Sequence, residues 1–190
     1  QRLDPAGVEV GRSFNNLGNV AWSRGDLAAA DEHYRRALEI KQGWAPDSLD
    51  VATTLQNLAN VATSRGDLAA AEEHQQRALA IQERLAPDGP DLALSLNNLG
   101  VILHQRGDLA GADERMQRAL AIQEQVVPGS LDVAATLHSL GEVARSRGDL
   151  AAAERFFRRS LELQEGLAPG SLGAAATLTL LGTLPRARGG

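Results

Sequence analysis

The side chains that could do chemistry are few, and their spacing does not favour catalysis. The chain has no cysteine, so thiolate metal sites and disulfides are excluded. No carboxylate or second histidine stands at a clear ligand spacing from any histidine, so we expect solvated or interface histidines rather than a metal site. We predict no bound metal and no cofactor. The four histidines are His33, His74, His104 and His138.

The sequence motifs of common enzymes are also absent. There is no phosphate-binding glycine loop and no metalloprotease helix, and Gly170-Ser171-Leu172-Gly173 has the wrong spacing for a nucleophile elbow. Paired carboxylates such as Glu72-Glu73 and Asp113-Glu114 lie among arginines on predicted helices, which indicates a solvated face of mixed charge. We therefore predict that the protein is not an enzyme.

One tetrapeptide, Arg-Gly-Asp-Leu, occurs four times at intervals of 41 residues, beginning at Arg24, Arg65, Arg106 and Arg147. Arg-Gly-Asp is also a cell-adhesion tripeptide, but each copy here lies between two helical patterns. In that place glycine can take the left-handed cap conformation, aspartate can cap the next helix, and arginine favours the end of the preceding helix. The tetrapeptide is therefore interpreted as the turn of a tandem repeat.

Composition narrows the class of protein further. Aromatic residues are only 3% of the chain and alanine is abundant, which suits closely packed helices better than sheets. The net charge of −5 argues against a nucleic-acid binder, since that function would need a basic surface. No apolar run approaches the length of a membrane helix, and the first residues lack the apolar core of a signal peptide. We expect a cytoplasmic protein that binds neither nucleic acid nor membrane.

Apolar residues at helical spacing predict alternating A and B helices on both sides of each turn. Small residues at fixed positions, such as Gly18 and Ala30, predict that A and B approach closely. Pro185 is predicted to break the last turn of the final helix. We predict one array over residues 1–190, with repeats at about 8–48, 49–89, 90–130 and 131–171 and a partial fifth at 172–190. The predicted helices are A1 at 8–23, B1 at 27–43, A2 at 49–64, B2 at 68–85, A3 at 90–105, B3 at 109–126, A4 at 131–146, B4 at 150–167, and A5 from about Leu172.

Phe14-x-x-Leu17-Gly18-x-x-Ala21, followed by Ala30-x-x-x-Tyr34, resembles the tetratricopeptide repeat pattern, and the match recurs through the whole chain. The period of 41 resembles the long-period subclass found in kinesin light chains. The resemblance implies an all-α fold, a right-handed solenoid of antiparallel helix pairs whose A helices line the concave face. Gln75 departs from the pattern by replacing the aromatic residue of helix B, which suggests looser packing in repeat two.

Polar side chains recur on the A helices, opposite the packed stripe. The resemblance implies that they line a concave groove. Carboxamides both donate and accept hydrogen bonds, so they suit the backbone of an extended peptide. The alternative is that asparagine merely solvates the helix, although it is a poor helix former. The predicted partner-binding residues are Arg12, Asn15, Asn16, Asn19, Trp22, Gln56, Asn57, Asn60, Asn97, Asn98, His104, Gln105, His138 and Arg145, and Thr53, Thr63, Ser139 and Glu142 share the same face.

The predicted function is a non-enzymatic module that binds a protein or peptide partner in this asparagine-rich groove. Arg12 and Arg145 are its only arginines, so a clamp for a peptide carboxylate is disfavoured. The alternative is a structural or self-associating solenoid, a spacer or sensor arm of a larger multidomain signalling protein. RNA binding is a distant third, because the basic groove it would need is missing.

Three further predictions concern single side chains. Trp44 shares its register with apolar residues and is predicted to lie in the core. Trp22 shares its register with polar residues and is predicted to be exposed, as an aromatic anchor at one end of the groove. Phe156 and Leu163 are predicted to form an apolar terminal patch that supports weak end-to-end self-association.

Overall fold

The computed structural model describes residues 5–184, and this part of the chain is helical with no strand. The predicted helices A2 to B4 begin and end where the sequence places them. A1 starts three residues earlier than predicted and B1 ends one residue earlier, while Pro185 lies outside the described residues. The helices are α1 (Pro5–Ser23), α2 (Leu27–Gln42), α3 (Leu49–Ser64), α4 (Leu68–Leu85), α5 (Pro90–Gln105), α6 (Leu109–Val126), α7 (Leu131–Ser146), α8 (Leu150–Leu167) and α9 (Leu172–Thr183).

The chain divides into two compact units, Gln1–Pro87 and Asp88–Gly190. In the first unit α1 packs against α2, α2 against α3, and α3 against α4. In the second unit the same order runs from α5 to α9, with a smaller contact between α5 and α7. The odd-numbered helices are the predicted A helices and the even-numbered helices are the predicted B helices. None of the described helices is long and apolar enough to cross a membrane.

The four Arg-Gly-Asp-Leu segments are turns, as predicted. Gly25 has a φ of +75°, in the left-handed region, and a Cβ there would meet no atom within 4 Å. Asp26 then caps α2, because its Oδ1 accepts a hydrogen bond from the backbone N–H of Ala29 at 3.0 Å. The other three copies repeat this arrangement, with left-handed Gly66, Gly107 and Gly148 and capping Asp67, Asp108 and Asp149.

Small residues bring the two helices of a hairpin together. A Cβ built on Gly18 of α1 would lie 2.5 Å from the Tyr34 ring of α2, and one on Gly141 of α7 would lie 2.5 Å from the Phe157 ring of α8. Both distances are shorter than van der Waals contact, so only glycine fits against these rings. The predicted close approach of A and B is confirmed.

Each unit has its own apolar core between successive hairpins. In the first unit Tyr34 and Leu38 of α2 meet Val51, Leu55 and Leu58 of α3. In the second unit the corresponding cluster joins α6 to α7. Its members are Ala112, Met116, Leu120, Val133, Leu137, Leu140 and Val143.

Two predictions about the core need correction. Trp44 is only partly buried, and a Cβ on Gly7 would meet its ring at 2.6 Å, so Trp44 packs on the start of α1 rather than in the core. The residue 41 positions later, Leu85, is 48% exposed, so this register is not a core position. Leu17, which the repeat pattern places among the apolar residues that pack in A1, is 49% exposed, although Leu58 at the same register is buried.

Candidate partner-binding surface

The predicted polar residues of α1 and α3 meet on one face of the first unit. Asn57 Nδ2 donates a hydrogen bond to Asn15 Oδ1 at 3.4 Å, and Thr54 Oγ1 lies 3.2 Å from the same oxygen. Asn16, Asn19 and Asn60 are exposed nearby on the two helices. Carboxamides of two successive repeats therefore lie side by side on α1 and α3.

A pocket of about 150 Å³ opens on this surface and is lined by Asn19, Trp22, Tyr34, Asn57 and Asn60. We call it the Trp22 pocket. The Tyr34 hydroxyl donates to Asn19 Oδ1 at 2.8 Å, which orients the carboxamide, and burial raises the pKa of Tyr34. Trp22 is 37% exposed, so the prediction that it is not a core residue is confirmed. The pocket combines an aromatic surface with several hydrogen-bonding groups.

Lys41 joins this polar network and was missed by the sequence analysis. Its Nζ donates to Thr54 Oγ1 at 2.8 Å and to the carbonyl oxygen of Asp50 at 3.1 Å. Burial lowers its pKa, an effect that the nearby carboxylate of Asp50 opposes. The signal in the sequence is that Lys41 stands at a register where every later repeat has a buried glutamine, namely Gln82, Gln123 and Gln164.

The remaining predicted residues of the first unit differ in accessibility. Gln56 is buried, so it has little surface to offer a partner. Arg12 is exposed but lies 3.3 Å from the Glu9 carboxylate and 3.8 Å from the Asp50 carboxylate. Its charge is locally balanced, which does not suit a clamp for a peptide carboxylate.

In the second unit two predicted histidines lie between neighbouring A helices. His138 Nδ1 of α7 is 2.8 Å from Thr177 Oγ1 of α9, and its ring packs edge-on against Phe157 at 5.6 Å. Burial lowers the pKa of His138, so the neutral ring is favoured, although the Glu142 carboxylate opposes the shift. His104 Nε2 of α5 lies 2.8 Å from Ser146 Oγ of α7.

The other predicted residues of the second unit range from buried to exposed. Asn97 is buried and Asn98 is partly buried, whereas Gln105 is exposed. Arg145 is also exposed and lies 3.5 Å from the Glu142 carboxylate, so its charge too is locally balanced.

No group of three or more possible metal ligands occurs in the part of the chain that the structure describes. His74 is half-buried, and desolvation is the main reason that its pKa is lowered.

The predicted apolar patch is largely internal. Phe156 and Leu163 both pack against the cluster that joins α6 to α7, and Phe156 also packs against a second cluster that contains Phe157 and Leu184. Both side chains are partly buried rather than exposed. The flank of α8 that carries them therefore faces the preceding hairpin of its own unit.

The fold is an all-α repeat protein of the solenoid class. Its hairpins repeat at a fixed interval, with glycine–aspartate turns and small residues at each hairpin seam. The family model for the tetratricopeptide repeat matches residues 9–84, 50–125, 91–166 and 132–189. The chain belongs to the tetratricopeptide repeat family. Repeats of this family mediate protein–protein interaction, and its members are typically non-enzymatic scaffolds.

Solved structures with the same fold include BtubC (BKLC) and a putative kinesin light chain. BtubC (BKLC) from P. vanneervenii is 24% identical with a TM-score of 0.83, and the match covers 95% of this chain and 74% of that protein. A putative kinesin light chain with nearly identical TPR-like repeats from Podosopora anserina is 18% identical with a TM-score of 0.76, covering 92% and 84%.

The apo form of RapI is 17% identical with a TM-score of 0.83, and the match covers 94% of this chain but only 48% of RapI. At these identities the likeness concerns the fold alone. No protein with a curated description matches the sequence.

Proposed function

We propose that this protein is an interaction module that binds an extended segment of a partner protein on the face formed by α1 and α3. The observation that carries the proposal is the Trp22 pocket, where an exposed indole stands beside three asparagines. Tryptophan and tyrosine provide large contact areas that remain compatible with polar neighbours, which is why they are enriched at interfaces.

The asparagines divide into two groups with different roles. Asn57 donates a hydrogen bond to Asn15, and Asn19 accepts one from Tyr34, so these three carboxamides are held in one geometry within the unit. Asn16 and Asn60 are exposed and make no hydrogen bond to any other residue of the described chain. Their carboxamides can accept from a peptide N–H and donate to a peptide carbonyl, while an apolar partner side chain covers Trp22.

A peptide array followed by fluorescence titration tests this function. In a Trp44→Phe background Trp22 is the only tryptophan, so its emission should shift when an array-selected peptide binds. With a fluorescein label on the peptide, so that anisotropy reads binding without any tryptophan, Trp22→Ala and Asn60→Ala should each weaken binding by about tenfold, since hot-spot side chains commonly contribute about 1–2 kcal/mol. The matched control is Gln117→Ala, which removes an exposed carboxamide from the B helix α6.

If selected peptides bind equally well to Trp22→Ala, Asn60→Ala and the control, this surface is not the binding site.

The competing function is a self-associating spacer or sensor arm. Phe156 and Leu163 are partly buried and so offer little surface for self-association, but the oligomeric state can be measured directly. A molecular mass that rises with concentration in light scattering would favour self-association, and a constant monomer mass would exclude self-association.

A further inference from the structure

Three polar side chains meet where one repeat of the first unit packs against the next. They are Asn15 of α1, Lys41 of α2 and Thr54 of α3, and we call them the inter-repeat polar cluster. Lys41 Nζ donates a hydrogen bond to Thr54 Oγ1 at 2.8 Å, and Asn15 Oδ1 lies 3.2 Å from the same hydroxyl oxygen. The cluster therefore joins two repeats through polar contacts in which a lysine ammonium supplies N–H donors.

The second unit has a polar cluster at the same register, with one residue of a different kind. Two repeat intervals further along the chain, the three positions are Asn97 of α5, Gln123 of α6 and Thr136 of α7. The three helices pack against one another in this unit, so these side chains converge as their counterparts in the first unit do. A neutral amide, one bond shorter than a lysine side chain, stands here in place of the ammonium.

Each of these three residues has a buried oxygen atom without a partner. Asn97 Oδ1, Gln123 Oε1 and Thr136 Oγ1 make no hydrogen bond to any residue that the structure describes. The residues are only 9%, 3% and 0% exposed. Because an unsatisfied buried oxygen destabilises a fold, nearly all such atoms in proteins bond to another group or to ordered water.

The threonine of this register has a direct side-chain partner in two other places. Thr54 contacts Lys41 in the first unit, and Thr177 Oγ1 of α9 lies 2.8 Å from His138 Nδ1 of α7. Thr136 is buried in the same way but has neither a lysine nor a histidine beside it. Its cluster consequently has room for a small group that can both donate and accept hydrogen bonds.

We propose that an ordered water molecule binds between Asn97, Gln123 and Thr136, in the position that the ammonium of Lys41 takes in the first unit. The water donates its two protons to Asn97 Oδ1 and Gln123 Oε1 and accepts the proton of the Thr136 hydroxyl, so one molecule satisfies all three oxygens. Buried waters commonly make about three hydrogen bonds of this kind. Asn97, which the sequence places in the partner groove, then serves to hold two repeats together.

The first unit indicates that the occupant is neutral. Burial lowers the pKa of Lys41, so this position disfavours positive charge even though the Asp50 carboxylate opposes the shift. The three oxygens of the second unit belong to neutral side chains, whereas buried cations are stabilised chiefly by carboxylates. Water fits this set of ligands better than a metal ion does.

A crystal structure of the chain, at a resolution that shows ordered water, tests the site directly. We expect one water at about 2.5–3.0 Å from each of the three oxygens. The variant Gln123→Lys should lose this water and place its ammonium against Thr136 Oγ1. The matched control is Gln125→Lys, which makes the same change at an exposed position of α6 and should keep the water. The absence of water density, or a direct hydrogen bond among the three side chains, would overturn the proposal.

Thermal melts provide a second test that does not depend on Gln123→Lys folding. Thr136→Val replaces the hydroxyl with a methyl group of the same shape and should lower the melting temperature by about 2–4 °C, whereas Thr136→Ser keeps the hydroxyl and should lose less. If the oxygen has no water partner, removing it costs nothing, so an unchanged or higher melting temperature for Thr136→Val would contradict the proposal. Melts in potassium chloride and in choline chloride at equal ionic strength should agree. A higher melting temperature in potassium chloride alone would show that the occupant is a cation.

Discussion

At the scale of single residues, the polar side chains of the A helices fall into two groups, those that hydrogen-bond to a neighbouring helix and those that are exposed. Asn15 and His138 occupy the same register, and each contacts a threonine of the next A helix, Thr54 or Thr177. Buried polar groups need such partners, because an unsatisfied hydrogen-bonding group costs more than the bond itself contributes. Neighbours such as Asn16 and Asn60 are exposed, and these are the residues that we propose to contact a partner.

His138 should make the stability of the protein depend on pH. Burial lowers its pKa in the folded state, so between that value and about 6.5 the unfolded chain binds more protons. Stability is therefore complete above pH 6.5 and is lost as the pH falls through this window. The half-buried His74 acts in the same direction, because its pKa is also lowered. Thermal melts at pH 7 and pH 5 should show a smaller loss of melting temperature for His138→Asn than for the unchanged protein, and an equal loss would contradict this assignment.

At the scale of the helices, the seam of each hairpin is a matched pair of small and large residues. Gly18 meets Tyr34, Gly100 meets Met116 and Gly141 meets Phe157. The second repeat has Ala59 and Gln75 at the same two positions, and both are buried. Ala59 carries a methyl group that glycine lacks, and Gln75 stands where the first and fourth repeats have an aromatic ring. Gln75, which departs from the family pattern, is therefore accompanied by a compensating change on α3.

This pairing predicts a strong coupling between Gly141 and Phe157. Gly141→Ala alone should lower the free energy of unfolding by about 1–3 kcal/mol, because its methyl group has no room against the Phe157 ring. Adding Phe157→Gln, which reproduces the pair of the second repeat, should cost less than the sum of the two single changes by at least about 0.5 kcal/mol. Urea denaturation of the four proteins measures this coupling, and simple additivity would show that the two positions are not matched.

At the scale of the whole molecule, the two compact units repeat one plan, but their exposed apolar residues differ. The first unit exposes Val10, Leu17 and Val20 on α1. In the second unit α9 exposes Leu172 and Leu178, which are 90% and 58% accessible. Phe156, in contrast, contacts two core clusters of the second unit. Exposed leucine or valine side chains therefore occur on α1 and α9, whereas Phe156 on the flank of α8 packs within its own unit.

Phe156→Arg should consequently act on folding rather than on association. Placing a guanidinium against two apolar clusters should lower the free energy of unfolding by about 1–3 kcal/mol, which is visible as a lower melting temperature. Leu172→Arg is the control and should leave the melting temperature unchanged, because that leucine is exposed. A variant Phe156→Arg with an unchanged melting temperature and a lower molecular mass in light scattering would instead support the predicted self-association.

The sequence by itself determined the helices and their connections. Turn glycines, capping aspartates and helical spacing are local signals, so the boundaries of α3 to α8 could be read from them directly. The repeat period placed carboxamides on the same face of α1 and α3, but the contact that forms joins Asn15 to Asn57, which are not equivalent positions of the repeat.

The tertiary structure alone decided how each copy of a repeated position is used. Leu17 and Leu58 are the same letter in the same register, yet one is half exposed and the other buried. Gln56 and Asn60 both belong to the predicted groove, yet only Asn60 is accessible. A periodic sequence assigns equal roles to equivalent residues, whereas burial depends on which helices lie on either side of each one, and those neighbours exist only in the folded molecule.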